Sequence, residues 1–125
     1  MSLPAKKRVF LLDDEIEMTD LVGAILGIKG FDISICNNPV EALERLSKES
    51  YDAVVLDLMM PHMNGFSVIK SLRANPLHAK TPIFALSARV LDDRERKELL
   101  SMEVRYLPKP VMGTRLVQAL KDSIK

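Results

Sequence analysis

Three four-residue runs without a polar side chain, Val9-Phe10-Leu11-Leu12, Ala53-Val54-Val55-Leu56 and Ile83-Phe84-Ala85-Leu86, constrain this chain more than any other feature. Each is short for a core helix. Unbroken rather than alternating apolar character suits a strand covered on both faces, as in a parallel sheet. Each run also ends in a polar group: Asp13-Asp14 after the first, Asp57 after the second, Ser87 after the third. A shorter run ending at Tyr106-Leu107 is followed by Lys109. In a parallel sheet the C-terminal strand ends share one edge, where open α/β folds place their ligands. Three acids, one hydroxyl and one amine then converge on one site.

Helical segments lie between the runs. The expected elements are strands over Arg8–Leu12, Asp32–Cys36, Ala53–Asp57, Pro82–Leu86 and Arg105–Leu107, and helices over Glu15–Lys29, Asn38–Ser47, Asn64–Ala74, Asp92–Met102 and Val111–Ile124. Gly30 suits the left-handed position that ends the first helix. Asn38-Pro39-Val40-Glu41 reads as an N-cap, a proline at the first helical position and an acid at the third. Asn75-Pro76 stops the third helix, and Asp92-Asp93 places acids at the N-terminus of the fourth. Strict βα alternation with right-handed crossovers gives a doubly wound, five-stranded parallel sheet of order 2-1-3-4-5.

At 125 residues the chain makes one domain, and 18 basic against 17 acidic side chains leave a formal charge of +1, too little to gather nucleic acid or an anionic membrane. Lys6-Lys7-Arg8 reads as the solvated edge of a strand entrance. The single Cys36 excludes an internal disulfide and a Cys-rich zinc site, and it sits in the apolar run Ile33-Ser34-Ile35-Cys36, where a buried inert thiol is expected. No stretch has the length of a signal-peptide core or a membrane span, so a cytoplasmic location is expected.

Capping of the following helices accounts for one Asp per strand end, but not for an adjacent pair facing a third. Clustered carboxylates repel, and a divalent cation relieves the repulsion. An all-oxygen set with few protein ligands suits Mg²⁺, which binds at roughly 2.0–2.1 Å and keeps several waters. A hydroxyl and an ammonium beside such a site are what the oxygens of a phosphoryl group require. Lys109, between Pro108 and Pro110, is either an exposed turn lysine or a side chain aimed into the cleft by a stiff loop. His62 has no second His or Cys near it in the sequence and is expected as an exposed turn residue; Met59, Met60 and Met63 are expected as core or loop filler.

Asp13-Asp14, Asp57 with Met60-Pro61 and Asn64-Gly65, Ser87-Ala88, and Tyr106 followed by Lys109-Pro110 together resemble the receiver domain of two-component response regulators, over nearly the whole chain. The resemblance implies a flavodoxin-like (βα)5 fold and an Asp57 that accepts a phosphoryl group from a phosphohistidine of a sensor histidine kinase or histidine phosphotransfer protein. It implies Asp14, Asp57 and the backbone carbonyl of Met59 as direct Mg²⁺ ligands, with Asp13 acting through water. Lys109, Ser87 and the backbone N–H of Ala88 would hold the phosphoryl oxygens. It further implies a switch: Ser87 moves toward the phosphoryl group and Tyr106 turns inward, reshaping the face of helix four, strand five and helix five toward an unknown downstream protein. Tyr106 also fits a half-buried strand aromatic with its hydroxyl in water.

One receiver domain over residues 1–125 with no output domain is the expectation, whether as a stand-alone regulator or as a piece of a longer one. A monomer or weak dimer without direct nucleic-acid binding follows, with no catalysis beyond its own phosphoryl uptake and slow loss. Two departures from the family pattern are visible: Met102 stands where a glycine is common after helix four, and Val111 where an aromatic often follows the Lys-Pro pair. Met59 and Arg89 flank the path of water to Asp57, and Met59 has no polar atom to hold that water, so slow loss of the phosphoryl group is expected. In helix one, Met18, Leu21, Val22, Ile25, Leu26 and Ile28 span an arc of about 160°, wider than a core stripe needs. The excess fits either docking of the phosphodonor or deeper burial against helix five. Two other functions share the fold: a non-switching interaction module with an idle pocket, and an aspartyl-phosphate phosphatase, against which stand Leu58 and Met59 where a second carboxylate would be needed. Neither G-x-G-x-x-G nor G-x-x-x-x-G-K is present.

Overall fold

The computed structural model describes residues 6–109 and 113–124. Among them the chain runs β1 (Arg8–Leu12), α1 (Ile16–Ile28), β2 (Asp32–Cys36), α2 (Pro39–Leu46), β3 (Ala53–Asp57), α3 (Gly65–Ala74), β4 (Ile83–Ser87), α4 (Asp93–Ser101), β5 (Val104–Pro108) and α5 (Gly113–Ser123). The strands are parallel in the order β2-β1-β3-β4-β5, as the sequence implies. The expected start of helix five at Val111 lies outside the described residues, as do Pro110 and Val111 themselves.

A side-chain period of two divides each inner strand between two cores. Phe10 and Leu12, Val54 and Leu56, and Ile83 and Ala85 pack with Ala42 and Leu46 of α2, Val68, Ile69 and Leu72 of α3, and Leu99 of α4. Their neighbours Val9, Leu11, Ala53, Val55, Phe84 and Leu86 face Val22 and Leu26 of α1 and Leu116, Val117 and Leu120 of α5. Each fully buried Leu or Phe contributes about 1.5–3 kcal/mol. All residues of β3 and β4 are buried, so the two most enclosed strands carry Asp57 and Ser87 out to the sheet edge. The edge strand β2 is only half covered before Cys36, which is buried with its thiol 3.2 Å from the Asn38 carbonyl.

Local chemistry sets the helix ends. The Asn38 side chain accepts from the Val40 and Glu41 amides, and Asn64 from Ser67, at the starts of α2 and α3. Asp92 and Glu95 form a reciprocal capping box on α4. Glu15, by contrast, is the extended residue before α1 and gives no side-chain cap. Gly30 has φ +97°, as its place after α1 requires. At the other end of α4 the difficult conformation falls one residue beyond Met102: Met102 has φ −97°, and Glu103 has φ 57°.

A left-handed glutamate is uncommon, and a guanidinium from α3 holds the turn that contains it. Arg73 donates from Nε to the Met102 carbonyl at 2.8 Å and from one terminal nitrogen to the Glu103 carbonyl at 3.2 Å. The other terminal nitrogen reaches the carbonyls of His78 at 2.8 Å and Thr81 at 2.7 Å. His78 is itself buried, with Nε2 2.7 Å from the Leu46 carbonyl and so carrying the ring proton there, and Nδ1 3.3 Å from the Thr81 hydroxyl. The two side chains tie α2, α3, the turn before β4 and the turn before β5 into one block. Replacing Arg73 by Met leaves four carbonyls without this donor; the expected cost is about 2–3 kcal/mol, read as a lower urea midpoint with unchanged slope.

Candidate functional site

Strand register brings the polar ends together. Leu12 pairs with Leu56, Asp57 with Leu86, and Ser87 with Pro108, so the residues that follow each strand emerge side by side. Backbone bonds continue past the strands: the Asp13 amide donates to the Cys36 carbonyl at 3.3 Å, Leu58 to Leu86 at 2.9 Å, and Lys109 to Ser87 at 2.8 Å. That last bond fixes the stem of Lys109 beside β4 and leaves its side chain to cross β3 toward β1.

The ammonium of Lys109 lies 2.8 Å from Oδ2 of Asp13, 3.1 Å from Oδ2 of Asp57 and 3.3 Å from Oε1 of Glu15. Its side chain is only 8 % exposed. Of the two readings of Lys109, the structure therefore gives the one aimed into the cleft. Oδ1 of Asp57 accepts the Met59 amide at 3.1 Å, so both oxygens of that carboxylate are held. Oδ1 of Asp13 accepts the Glu15 amide at 3.0 Å. Asn37 steadies the same loop from β2 by donating to the Asp13 carbonyl at 2.8 Å and to the Thr19 hydroxyl at 2.9 Å.

Gly65 sets how closely α3 approaches. A Cβ there would stand 2.7 Å from the Asp57 carbonyl oxygen and 2.7 Å from the Leu58 Cα, both backbone atoms that cannot swing aside. The Gly65 amide instead donates to the Leu58 carbonyl at 2.9 Å. The absence of a side chain thus keeps the β3 turn compact beneath Asp57.

Asp13, Asp14 and Asp57 each offer one carboxylate oxygen, all within 4.8 Å of one another. Three carboxylates against one ammonium leave negative charge in excess, and the donors are all hard oxygens, a set compatible with a magnesium ion. Burial raises the Asp57 carboxyl above its ordinary range; the Met59 amide opposes the rise and the charge of Asp13 adds to it. For Lys109 burial works against the charge, but Asp13 and Asp57 outweigh it and hold the amine above its ordinary value.

Ser87 is buried and close to this cluster by register, yet its hydroxyl is engaged with Arg89: Oγ donates to the Arg89 carbonyl at 2.9 Å and accepts the Arg89 amide at 3.1 Å. Ala88 follows at the exposed mouth. Tyr106 is half-buried against the α2–α3 core, with its hydroxyl at a long 3.5 Å from the same Arg89 carbonyl. His62 is exposed in the β3–α3 turn with φ 72°, and Met59 is exposed while Met60 and Met63 pack against the core. On α1, Met18, Val22, Ile25 and Leu26 join the core beside α5, while Leu21 and Ile28 remain 62 % and 84 % exposed. Asn37, Thr19, Arg73 and His78 were not singled out by the sequence; of these only Asn37, a polar residue directly after β2, carried a signal by its place on the shared edge.

The profile of the response regulator receiver domain matches residues 9–121. The chain belongs to the receiver family. Among curated relatives, this receiver is 38 % identical to a CpxR homolog described as a transcriptional regulatory protein in Haemophilus influenzae, over 94 % of this chain and 50 % of that one. It is 33 % identical to the transcriptional regulatory protein CpxR of Escherichia coli K12, over 94 % and 49 %. The receiver spans about half the length of these relatives. The chemotaxis response regulator CheY4 of Vibrio cholerae superposes with a TM-score of 0.87 at 25 % identity, covering 96 % of this chain and all of that one. The receiver domain of the sensor histidine kinase PA1611 of Pseudomonas aeruginosa PAO1, whose structure has a magnesium ion coordinated in the active site cleft, gives 0.84 at 25 % identity over 95 % and 98 %. No helix among the described residues is long and apolar enough to cross a membrane.

The charge balance of the site has a thermodynamic signature. Because the folded-state pKa of Asp57 is raised, its ionised form opposes folding, and that penalty is present at neutral pH and absent once the group is protonated. Asp57→Asn is therefore expected to raise Tm by about 3–5 °C near pH 7, corresponding to about 1 kcal/mol. The gain should shrink as the pH is lowered toward about 4, measured by thermal unfolding without added metal.

Proposed function

We propose that this receiver takes a phosphoryl group onto Asp57 from a phosphohistidine of a sensor histidine kinase or histidine phosphotransfer protein in a Mg²⁺-dependent reaction, and passes the change through Ser87 and Tyr106 to the α4-β5-α5 face. The observation that carries the reading is the treatment of the Asp57 carboxylate: one oxygen is held by the Met59 amide and the other by Lys109, within a cluster that includes Asp13 and Asp14. A carboxylate so fixed is oriented for attack before a donor arrives.

In the transfer, an Asp57 oxygen forms a bond to phosphorus as the bond from phosphorus to the donor's imidazole nitrogen breaks, and that nitrogen keeps the electron pair. Lys109 already stands between Asp13 and Asp57 and is placed to follow the negative charge onto the phosphoryl oxygens. Ser87 would donate to a second oxygen and the Ala88 amide to a third. Asp14, Asp57 and the Met59 carbonyl would hold the magnesium ion directly and Asp13 through water; when bound, the ion supplies positive charge to the same oxygens.

Leu21 and Ile28, the exposed part of the wide apolar arc of α1, are assigned to docking of the donor's helices. Beyond uptake and loss of its own phosphoryl group no catalysis is assigned. Any DNA contact of a longer protein would belong to another domain, and the receiver itself is assigned a downstream protein partner and a monomeric or weakly dimeric state.

Intact mass after incubation with acetyl phosphate tests the central step. The wild-type chain should gain one phosphoryl group only when Mg²⁺ is present, and Asp57→Asn should gain none. An unmodified wild type that binds Mg²⁺ and is folded would instead favour an idle interaction module. The lifetime provides a second check: Met59 is exposed and apolar and has no polar side-chain atom to hold a water for attack. The phosphorylated protein should persist for minutes or longer after donor removal, and decay within seconds would contradict this account.

A further inference from the structure

We propose that the ion pair between Arg89 and Glu95 is a latch that keeps the β4–α4 loop closed around the Ser87 hydroxyl, making Arg89 and Glu95 positioning residues for the switch. For its signalling meaning this rests on the assignment of Asp57 as phosphoacceptor. The loop is fastened at both ends. At its start, Ser87 Oγ gives its single proton to the Arg89 carbonyl and accepts the Arg89 amide. At its end, the Arg89 guanidinium grips both oxygens of Glu95, one at 2.9 Å, and the same Glu95 oxygen accepts the Asp92 amide at 3.1 Å. The Asp92 side chain in turn accepts the Glu95 amide at 2.8 Å. One residue, Arg89, thus occupies the Ser87 hydroxyl with its backbone and the N-terminal cap of α4 with its side chain.

Competition follows from the donor count. A serine hydroxyl has one proton, so Ser87 cannot donate to a phosphoryl oxygen while donating to Arg89. Freeing it requires the Arg89 carbonyl to move or to keep only the long contact from the Tyr106 hydroxyl. Movement of that carbonyl displaces the guanidinium on the same residue, and the bidentate grip on Glu95 resists it. Arg89 has a solvent-exposed side chain, so the latch is weak and sensitive to salt, as a reversible catch must be.

Two readouts test the latch, one of them independent of phosphorylation. In the Asp57→Asn chain, amide hydrogen exchange at Arg89, followed by NMR, should speed up by about two- to fivefold on adding Glu95→Gln at low salt, and the difference should vanish near about 1 M NaCl. Arg89→Gln, which leaves the capping box intact, should give the same increase. Unchanged exchange overturns the latch, and so does an increase with Glu95→Gln alone, which would assign the effect to the cap. In the chain that retains Asp57, Glu95→Gln should take up the phosphoryl group from acetyl phosphate about two- to fivefold faster than wild type. Equal uptake by both chains overturns the latch and leaves Asp57 as acceptor; no uptake by either counts against the acceptor, and the exchange measurement then decides the latch by itself.

Discussion

The ammonium of Lys109, closed between the carboxylates of Asp13 and Asp57, is the contact on which the site depends. Two buried acids at the ends of adjacent strands would otherwise push β1 and β3 apart at the edge where the sheet must stay regular. A cation delivered from the loop after β5 allows them to remain together, and its own backbone is fastened to β4. Four strands therefore meet through one side chain. Such a cluster is a poor source of stability, because desolvating the charges offsets most of their attraction. What it does is hold the Asp57 carboxylate in a fixed orientation.

The division of the sheet into two cores explains why so much of the fold was legible in the sequence. β1, β3 and β4 are enclosed on both faces, and their unbroken apolar runs stand out against any helical period. β5 is an edge strand that alternates buried Val104, exposed Arg105, half-buried Tyr106 and buried Leu107, and its expected extent was correspondingly short by a residue at each end. The acids, Ser87 and Lys109 were legible because register in a parallel sheet converts a position in sequence into a position on the edge. Their occupations were less so. That the Ser87 proton is committed to Arg89, or that Arg89 reaches Glu95, depends on loop geometry that no periodicity encodes.

The turn after α4 shows the same limit from another side. Met102 was the visible departure from the family pattern, yet the left-handed residue is Glu103. The conformation is held by Arg73, about thirty residues earlier in the chain, whose guanidinium gathers carbonyls from two turns. His78 is hidden in a similar way: its partner carbonyl is on Leu46, and nothing in its own neighbourhood of sequence marks it as buried. Both residues act through backbone atoms, which carry no identity in the sequence.

These anchors leave α4 fastened very differently at its two ends. The C-terminal end is bound to α3 through Arg73, with Leu99 in the core, while the N-terminal end follows the buried Leu91 and carries a capping box and one exposed ion pair. A rod of nine residues, about 14 Å long, fastened in this way feels added salt more at its N-terminal end, where the ion pair is exposed, than at the end held by Arg73.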